Sequence, residues 1–544
     1  MRTTHFAFPV LSLAAVAALV AGCTSSNDLA GESTAVDGGT LVYATGDAEP
    51  SCLDPHVGGN YPQALISTQY LEPLFGRSAD GTIVPWLAQS AEASEDGLTW
   101  DITLTEGVSF SDGTAFNAEA VKVNIERLQD PDTASSTGYL AVEQVDEVVV
   151  IDDTHVRLLL STPKSALPEV LSQQWTAMQS PTALARDVEA NCQAPVGTGP
   201  FVVESWTPQE QVSLVRNDAY VSTNPAADHD GPAHLDRIEW RFIPDAATRQ
   251  AALSSGEVNV IDNPLPSDIA AASAQGIGHI DAPRPASSNR IELNTAQTPF
   301  DDERVREAFA RSADPDPGID TLFAGVTTRS YSALSSVEPA AYSDEALFSV
   351  DIDRSNALLD EAGWTERDDD GTRMKDGQRL SVRFPVSTNQ STAAEQSLFE
   401  QIQSNTAGVG FDVQLTPMDL SSWYGALGEH AYEAVSAPYT TVGPDVLRIL
   451  YHSDGTIPAP SGYFANHAML RVDELDEALE AALATTDEDE RTALYAEAQE
   501  IILGTYAIVP LYDQQNHFLT RGVTGVETLH TISTPTMINA QLTE

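Results

Sequence analysis

Lysine is nearly missing from this 544-residue chain. It stands only at Lys122, Lys164 and Lys375, and Arg supplies the rest of 27 basic residues set against 80 acidic ones. The formal charge of −53 repels phosphates and argues against nucleic acid as a partner. The same imbalance fits a GC-rich or salt-tolerant host and says nothing about a ligand. Cysteine occurs only at Cys23, Cys52 and Cys192, which excludes a disulfide-dense scaffold. No G-x-S-x-G, H-E-x-x-H, C-x-x-C or complete G-x-G-x-x-G is present, and no two of the eleven histidines are spaced i, i+3 or i, i+4. Paired carboxylates carry no information in so acidic a chain. Nothing here demands an enzyme, a metal or a cofactor.

What is present is a globular composition, 42% hydrophobic, in a chain too long for one ordinary core. The apolar run from Phe6 to Val20 follows Arg2 and is too short for a ~20-residue membrane span. It ends in Val20-Ala21-Gly22-Cys23, which resembles the bacterial lipobox, so Cys23 is the expected lipidation site and residues 1–22 the signal peptide. Residues 23–39, rich in Ser, Thr, Gly and acid, read as a tether. In an exported protein the two remaining cysteines, Cys52 and Cys192, are expected to pair, with free buried thiols as the alternative.

The most informative stretch runs from Leu87 to Leu128. Leu98, Trp100, Ile102 and Leu104 alternate with Thr99, Asp101, Thr103 and Thr105, a period of two that predicts a half-buried strand. Asp96-Gly97 and Asp112-Gly113 mark turns. Val121, Ile125 and Leu128 then fall at helical spacing behind Asn117, an expected cap. Further on, a helix Ala246–Ser255 closed by Gly256 and a hairpin around Asp152-Asp153 are expected. His56 reads as a loop histidine. Asp368-Asp369-Asp370-Gly371 reads as a hairpin turn, since the spaced ligands of a calcium loop are missing.

The run "SEDGLTW-I-L-EGV-FSDGT-F-AE-V" resembles the signature of the family 5 extracytoplasmic solute-binding proteins, receptors of ABC importers for peptides, nickel chelates and opines. Thr105 departs from the basic residue usual there. "LDP" at Leu53, "YLEPL" at Tyr70, "PVGTGPF" from Pro195, "IPDAATR" from Ile243, "LNT…PFDDERVREA" from Leu293 and "ALLDEAGW" from Ala357 carry the resemblance to about Tyr512. "PVGTGPF" lacks the lysine of a phosphate loop and reads as a structural turn.

The resemblance implies an α/β chain with the two-lobed type II periplasmic-binding-protein fold and an extra subdomain inserted in lobe one. Lobe one would comprise 40–73, 195–288 and 509–544, the insert 74–194, and lobe two 289–508. It implies a monomeric receptor for a short peptide or similar small polar solute. The receptor would be lipid-anchored on the extracytoplasmic face of the cell membrane and would work with an ABC permease and ATPase. A nickel-chelate, opine or glycoside receptor is the alternative on this fold, and a peptide hydrolase or chaperone the alternative outside it. In peptide-binding relatives a carboxylate four residues before the Pro of the "DP" loop meets the ligand's ammonium; before Pro444 that position holds Thr440, not Asp. Asp445 is the nearest acid. Tyr61, Trp423 and Tyr439 are the expected stacking walls.

Replacing the lipobox cysteine tests the anchor. Cys23→Ser is expected to release the protein from membranes or leave unprocessed precursor on cell fractionation. An unchanged membrane fraction of normal mature mass would refute lipidation.

Overall fold

A computed structural model describes residues 35–439 and 441–543; Cys23 and Thr440 lie outside them. The chain is mixed α/β and builds two lobes. In the first, a seven-stranded sheet runs Gly278–Pro283, Gln515–Thr520, Val260–Asp262, Thr40–Thr45, Arg237–Phe242, Gln211–Arg216, Phe201–Thr207. Thr40–Thr45 is parallel to both its neighbours. Such a strand is covered on both faces, and Leu41, Tyr43 and Ala44 are fully buried. Tyr43 faces its register partner Trp240, the rings stacked 3.8 Å apart. Helix Ala246–Ser255 forms where expected, with Asp245 Oδ1 accepting from the Thr248 amide at 2.8 Å and Gly256 closing it at φ 77°.

The inserted region carries a four-stranded antiparallel sheet in the order Ala88–Ala93, Thr99–Leu104, His155–Leu160, Val145–Val150. Trp100, Ile102 and Leu104 share a core with Val156, Leu158 and Leu160 and with Val121, Ile125 and Leu128 of helix Ala118–Gln129. Asn117 caps that helix, its Oδ1 accepting from the Ala120 amide at 3.1 Å. The chain returns to lobe one through the Gly197-Thr198-Gly199 turn. A Cβ on Gly197 would lie 2.1 Å from the Tyr70 carbonyl oxygen, so this glycine permits the close approach of two backbones. Cys52 and Cys192 are bonded to each other, their Cα atoms 4.5 Å apart.

Beside that bond sits a buried polar cluster. The Asp54 carboxylate accepts from Arg127 at 2.6 Å, Gln179 at 2.5 Å, Asn191 at 2.8 Å and the His56 amide at 2.9 Å. The His56 ring donates Nε2–H to the Ala177 carbonyl at 2.9 Å and makes no use of Nδ1. His56 is thus a fully buried structural histidine in a loop, with one ring nitrogen unpartnered among the described residues.

In the second lobe Asn289–Leu293 lies between Ala434–Val435 and Ile508–Tyr512. A separate parallel pair, Ser381–Ser387 with Asp412–Met418, shares one core with it and with helices Glu303–Ala313, Ile352–Glu361, Ala393–Ala407, Asp473–Ala484 and Glu488–Gly504. The acidic run at Asp368 forms the expected turn, with the Asp368 amide donating to the Thr372 carbonyl at 3.0 Å. The chain crosses between lobes twice, from Pro283 to Asn289 and back from Tyr512 to Gln515. The crossings are tied together by the Arg284 amide, which donates to the Gln514 carbonyl at 2.9 Å.

Burial pushes His56 down from 6.5 to about 4, against the pull of Asp54. The folded state thus resists the proton that the unfolded chain accepts. This stability is complete above pH ~6.5 and is lost as pH falls toward about 4, a change of about 3 kcal/mol. The difference in unfolding free energy between the wild type and His56→Gln should follow that window. A pH-independent difference in denaturant midpoints would contradict it.

Candidate ligand-binding cleft

Two adjoining chambers open between the lobes, and Tyr61, Gln390 and Pro438 line both. The first, about 460 Å³, is aromatic and has no charged residue in its lining among the described residues. Its floor is the loop after Asp54. Asn60 and Gln63 cap helix Tyr61–Ser67 reciprocally, and Gly59 gives its carbonyl to Thr137 Oγ1 at 2.9 Å. Trp175 lies across this loop, with Nε1 donating to the Asn60 carbonyl at 3.3 Å. Tyr424, Tyr439 and Tyr463 form the wall from lobe two. Burial pushes the Tyr439 and Tyr463 hydroxyls above the ordinary tyrosine value, so they act as neutral hydrogen-bonding groups.

The second chamber, about 530 Å³, is charged. Asp47, Arg284 and Glu395 converge on it from the end of the central strand, the first crossing and a lobe-two helix. Arg284 lies 4.7 Å over the Tyr61 ring, and its guanidinium makes no ion pair or hydrogen bond among the described residues. Burial draws its pKa down, with Tyr61 and Asp47 opposing. Tyr61 Oη accepts from Asn516 Nδ2 at 2.7 Å, which fixes the ring beneath the guanidinium. Asp47 is pushed up to about 7 by burial and by the nearby charge of Asp262. Glu395 is pushed up to about 7 by burial, although Asn289 donates to it at 2.8 Å. A guanidinium without a side-chain partner among the described residues, beside two carboxyls whose ionisation burial opposes, leaves the chamber receptive to an acidic group.

Of the residues singled out in the sequence, Tyr61 and Tyr439 line the cleft. Trp423 does not. It packs with Leu427, Tyr432, Val435 and Ala437, and helix Leu420–Gly428 turns its neighbour Tyr424 into the chamber instead. Asp445 is also absent from the lining. It is buried before helix Val446–Tyr451, where burial raises its carboxyl while Lys164 and then Arg448 pull it down. Thr440 is outside the described residues. Sequence reasoning missed Tyr424, Tyr463, Asp47, Arg284 and Glu395. Tyr463 follows Gly462, a turn glycine at φ 85°, which was a readable signal; the three charged residues left none.

Opposite the crossings, the insert is fastened to lobe two. Arg491 donates to both oxygens of Glu169 at 3.0 and 2.8 Å, Gln173 Nε2 to Thr441 Oγ1 at 2.6 Å, and the Ser165 amide to the Leu483 carbonyl at 2.9 Å. The cleft is thus closed on both sides, by covalent crossings on one and polar contacts on the other.

Residues 82–458 match the model of the bacterial extracellular solute-binding proteins, family 5. The glutathione-binding protein GsiB of Salmonella typhi is 31% identical over 488 residues, 87% of this chain and 88% of that protein. Among solved structures, the periplasmic binding protein DppA of Helicobacter pylori, in complex with the peptide STSA, superposes with a TM-score of 0.81 at 22% identity, over 94% of this chain and 99% of that one. NikA of Brucella suis, in complex with Fe(III)-EDTA, gives 0.77 at 26% identity, over 93% and 100%. The fold is the two-lobed type II periplasmic-binding-protein fold.

Removing the Glu169 carboxylate strands Arg491 in a mostly buried position and should cost the closed form about 1–3 kcal/mol. In small-angle scattering, Glu169→Gln is expected to show a larger radius of gyration than the wild type without ligand, and saturating ligand should restore the compact value. Identical scattering from both proteins would show that the contact does not hold the cleft shut.

Proposed function

Because the chain belongs to the family 5 bacterial extracellular solute-binding proteins, a family of binding proteins rather than enzymes, we propose that it captures a short peptide or similar small polar solute and presents it to an ABC permease and its ATPase. The observation that carries this is the pairing of a neutral aromatic chamber with a charged one across Tyr61. The aromatic chamber suits the body of a small solute, whose polar atoms meet tyrosine hydroxyls and the Ser136 and Thr137 side chains. Arg284 then receives a carboxylate, and charge-assisted bonds of this kind are about twice as strong as neutral ones. A tripeptide of the glutathione class meets both requirements, as the name of the 31%-identical relative would have it. Closure follows because ligand touching both lobes favours the state in which both are close.

Among the described residues no carboxylate lines the aromatic chamber, Asp445 is not in its lining, and burial pushes Asp47 and Glu395 of the charged chamber up to about 7. An ammonium lodged in the aromatic chamber therefore has no ionic partner among the described residues of its lining. This receptor should depend little on a free amino terminus and should accept N-blocked peptides. Attachment through a lipid on Cys23, on the extracytoplasmic face of the cell membrane, with the receptor acting as a monomer, completes the proposal. Within the described residues no helix is long and apolar enough to cross a membrane.

Calorimetry on glutathione and on matched free, N-acetylated and C-amidated short peptides tests it. Acetylation should cost less than ~100-fold in affinity, about 2.7 kcal/mol. Amidation should cost more, and Arg284→Gln should erase the difference between acid and amide. A larger loss on acetylation than on amidation would reverse the assignment of the anchor.

A further inference from the structure

Away from the cleft, the loop leading into strand Arg237–Phe242 brings Asp228, His229 and His234 together, with one donor atom of each within 4.8 Å of the others. The two imidazole rings lie 4.7 Å apart. Their spacing of five residues matches neither common helical pairing, so the sequence alone gave no signal.

The surroundings prepare both rings as ligands. His229 Nε2 is 3.1 Å from the Ile538 carbonyl oxygen. A carbonyl only accepts, so Nε2 carries the proton and Nδ1 keeps its lone pair. His234 Nδ1 is 2.9 Å from Asp37 Oδ1. The Gln541 side-chain amide donates to the same carboxylate oxygen at 2.9 Å. The Asp37 carboxylate faces Nδ1 of His234, which leaves Nε2 as the nitrogen open to a ligand. Metal-binding histidines characteristically give their second N–H to a carbonyl or carboxylate, because this fixes the tautomer and raises the basicity of the ligating nitrogen. Here both do so. Two imidazoles and a carboxylate match the preferences of zinc and its neighbours, not of calcium or magnesium.

We propose that Asp228, His229 and His234 bind one divalent cation of the zinc class, with Asp37 and the Ile538 carbonyl as positioning groups. The site lies where the ends of the fold meet. Asp37 follows strand Ala35–Val36, which pairs with Leu542 and Thr543, and the Asp228 amide donates to Asn539 Oδ1 at 3.1 Å. A cation there fastens the first and last segments to lobe one where the amino-terminal stretch enters the fold.

Zinc titration of the chelator-treated mature protein, with excess magnesium to occupy surface carboxylates, tests this by calorimetry and by thermal melting. One saturable zinc per chain and a raised melting temperature are expected. His229→Ala and His234→Ala should each weaken binding at least ~10-fold, and Asp37→Asn, which touches no metal and sits on the surface, roughly 10- to 100-fold. The Asp37→Asn protein should melt like the wild type without zinc, so its loss cannot be put down to misfolding. Absence of a saturable site, a site that survives in the His229→Ala/His234→Ala double variant, or an Asp37→Asn protein with unchanged affinity would overturn the proposal.

Discussion

One buried carboxylate positions the floor of the cleft. Asp54 gathers a guanidinium from the insert's helix, two amides from the returning segment and the backbone N–H of the loop that leads to Tyr61. A buried ion pair of this kind is not a large net source of stability, because desolvation offsets most of the attraction. Its effect is geometric. With four donors satisfied by one acceptor, the insert, the segment carrying Cys192 and the loop at Gly58 to Tyr61 hold one arrangement. Removing the carboxylate would take the acceptor from the Arg127 guanidinium, the Gln179 amide nitrogen and the His56 backbone N–H, while Asn191 keeps Gln179 Oε1.

From that fixed floor the other wall is reached only through two crossings, paired with each other at Arg284 and Gln514. Two crossings side by side suit closure about a hinge, in which a few connecting residues absorb the change. Arg284 belongs to the hinge itself and also lies over Tyr61, so a ligand acid held by Arg284 would sit where the lobes turn. The contacts of Glu169 with Arg491 and of Gln173 with Thr441 close the far side. Capture and closure are therefore one event in energetic terms: whatever the ligand gains from both walls favours the closed state.

Much of the fold was legible in the sequence because its signals are local. The alternation from Leu98 to Leu104, the cap at Asn117 and the closing Gly256 each act within a few residues, and the structure has them where they were read. The site was legible only in part. Tyr61 and Tyr439 reach the cleft, whereas Trp423 and Tyr424 are adjacent on a nine-residue helix, too short for periodicity to say which aromatic faces inward. Asp47, Arg284 and Glu395 are far apart along the chain and meet only because the hinge brings the lobes together. The same holds for the pairing of His229 with Ile538 and of His234 with Asp37, which depends on where the chain ends return.

The most direct test of a cleft that binds without chemistry is mass spectrometry of solute released by denaturing protein purified from its native host. One small polar solute per chain is predicted, bearing a free acidic group and recovered with unchanged mass after prolonged incubation with the protein. Recovery of no solute from cells grown in rich medium, or its recovery as fragments after incubation, would contradict it.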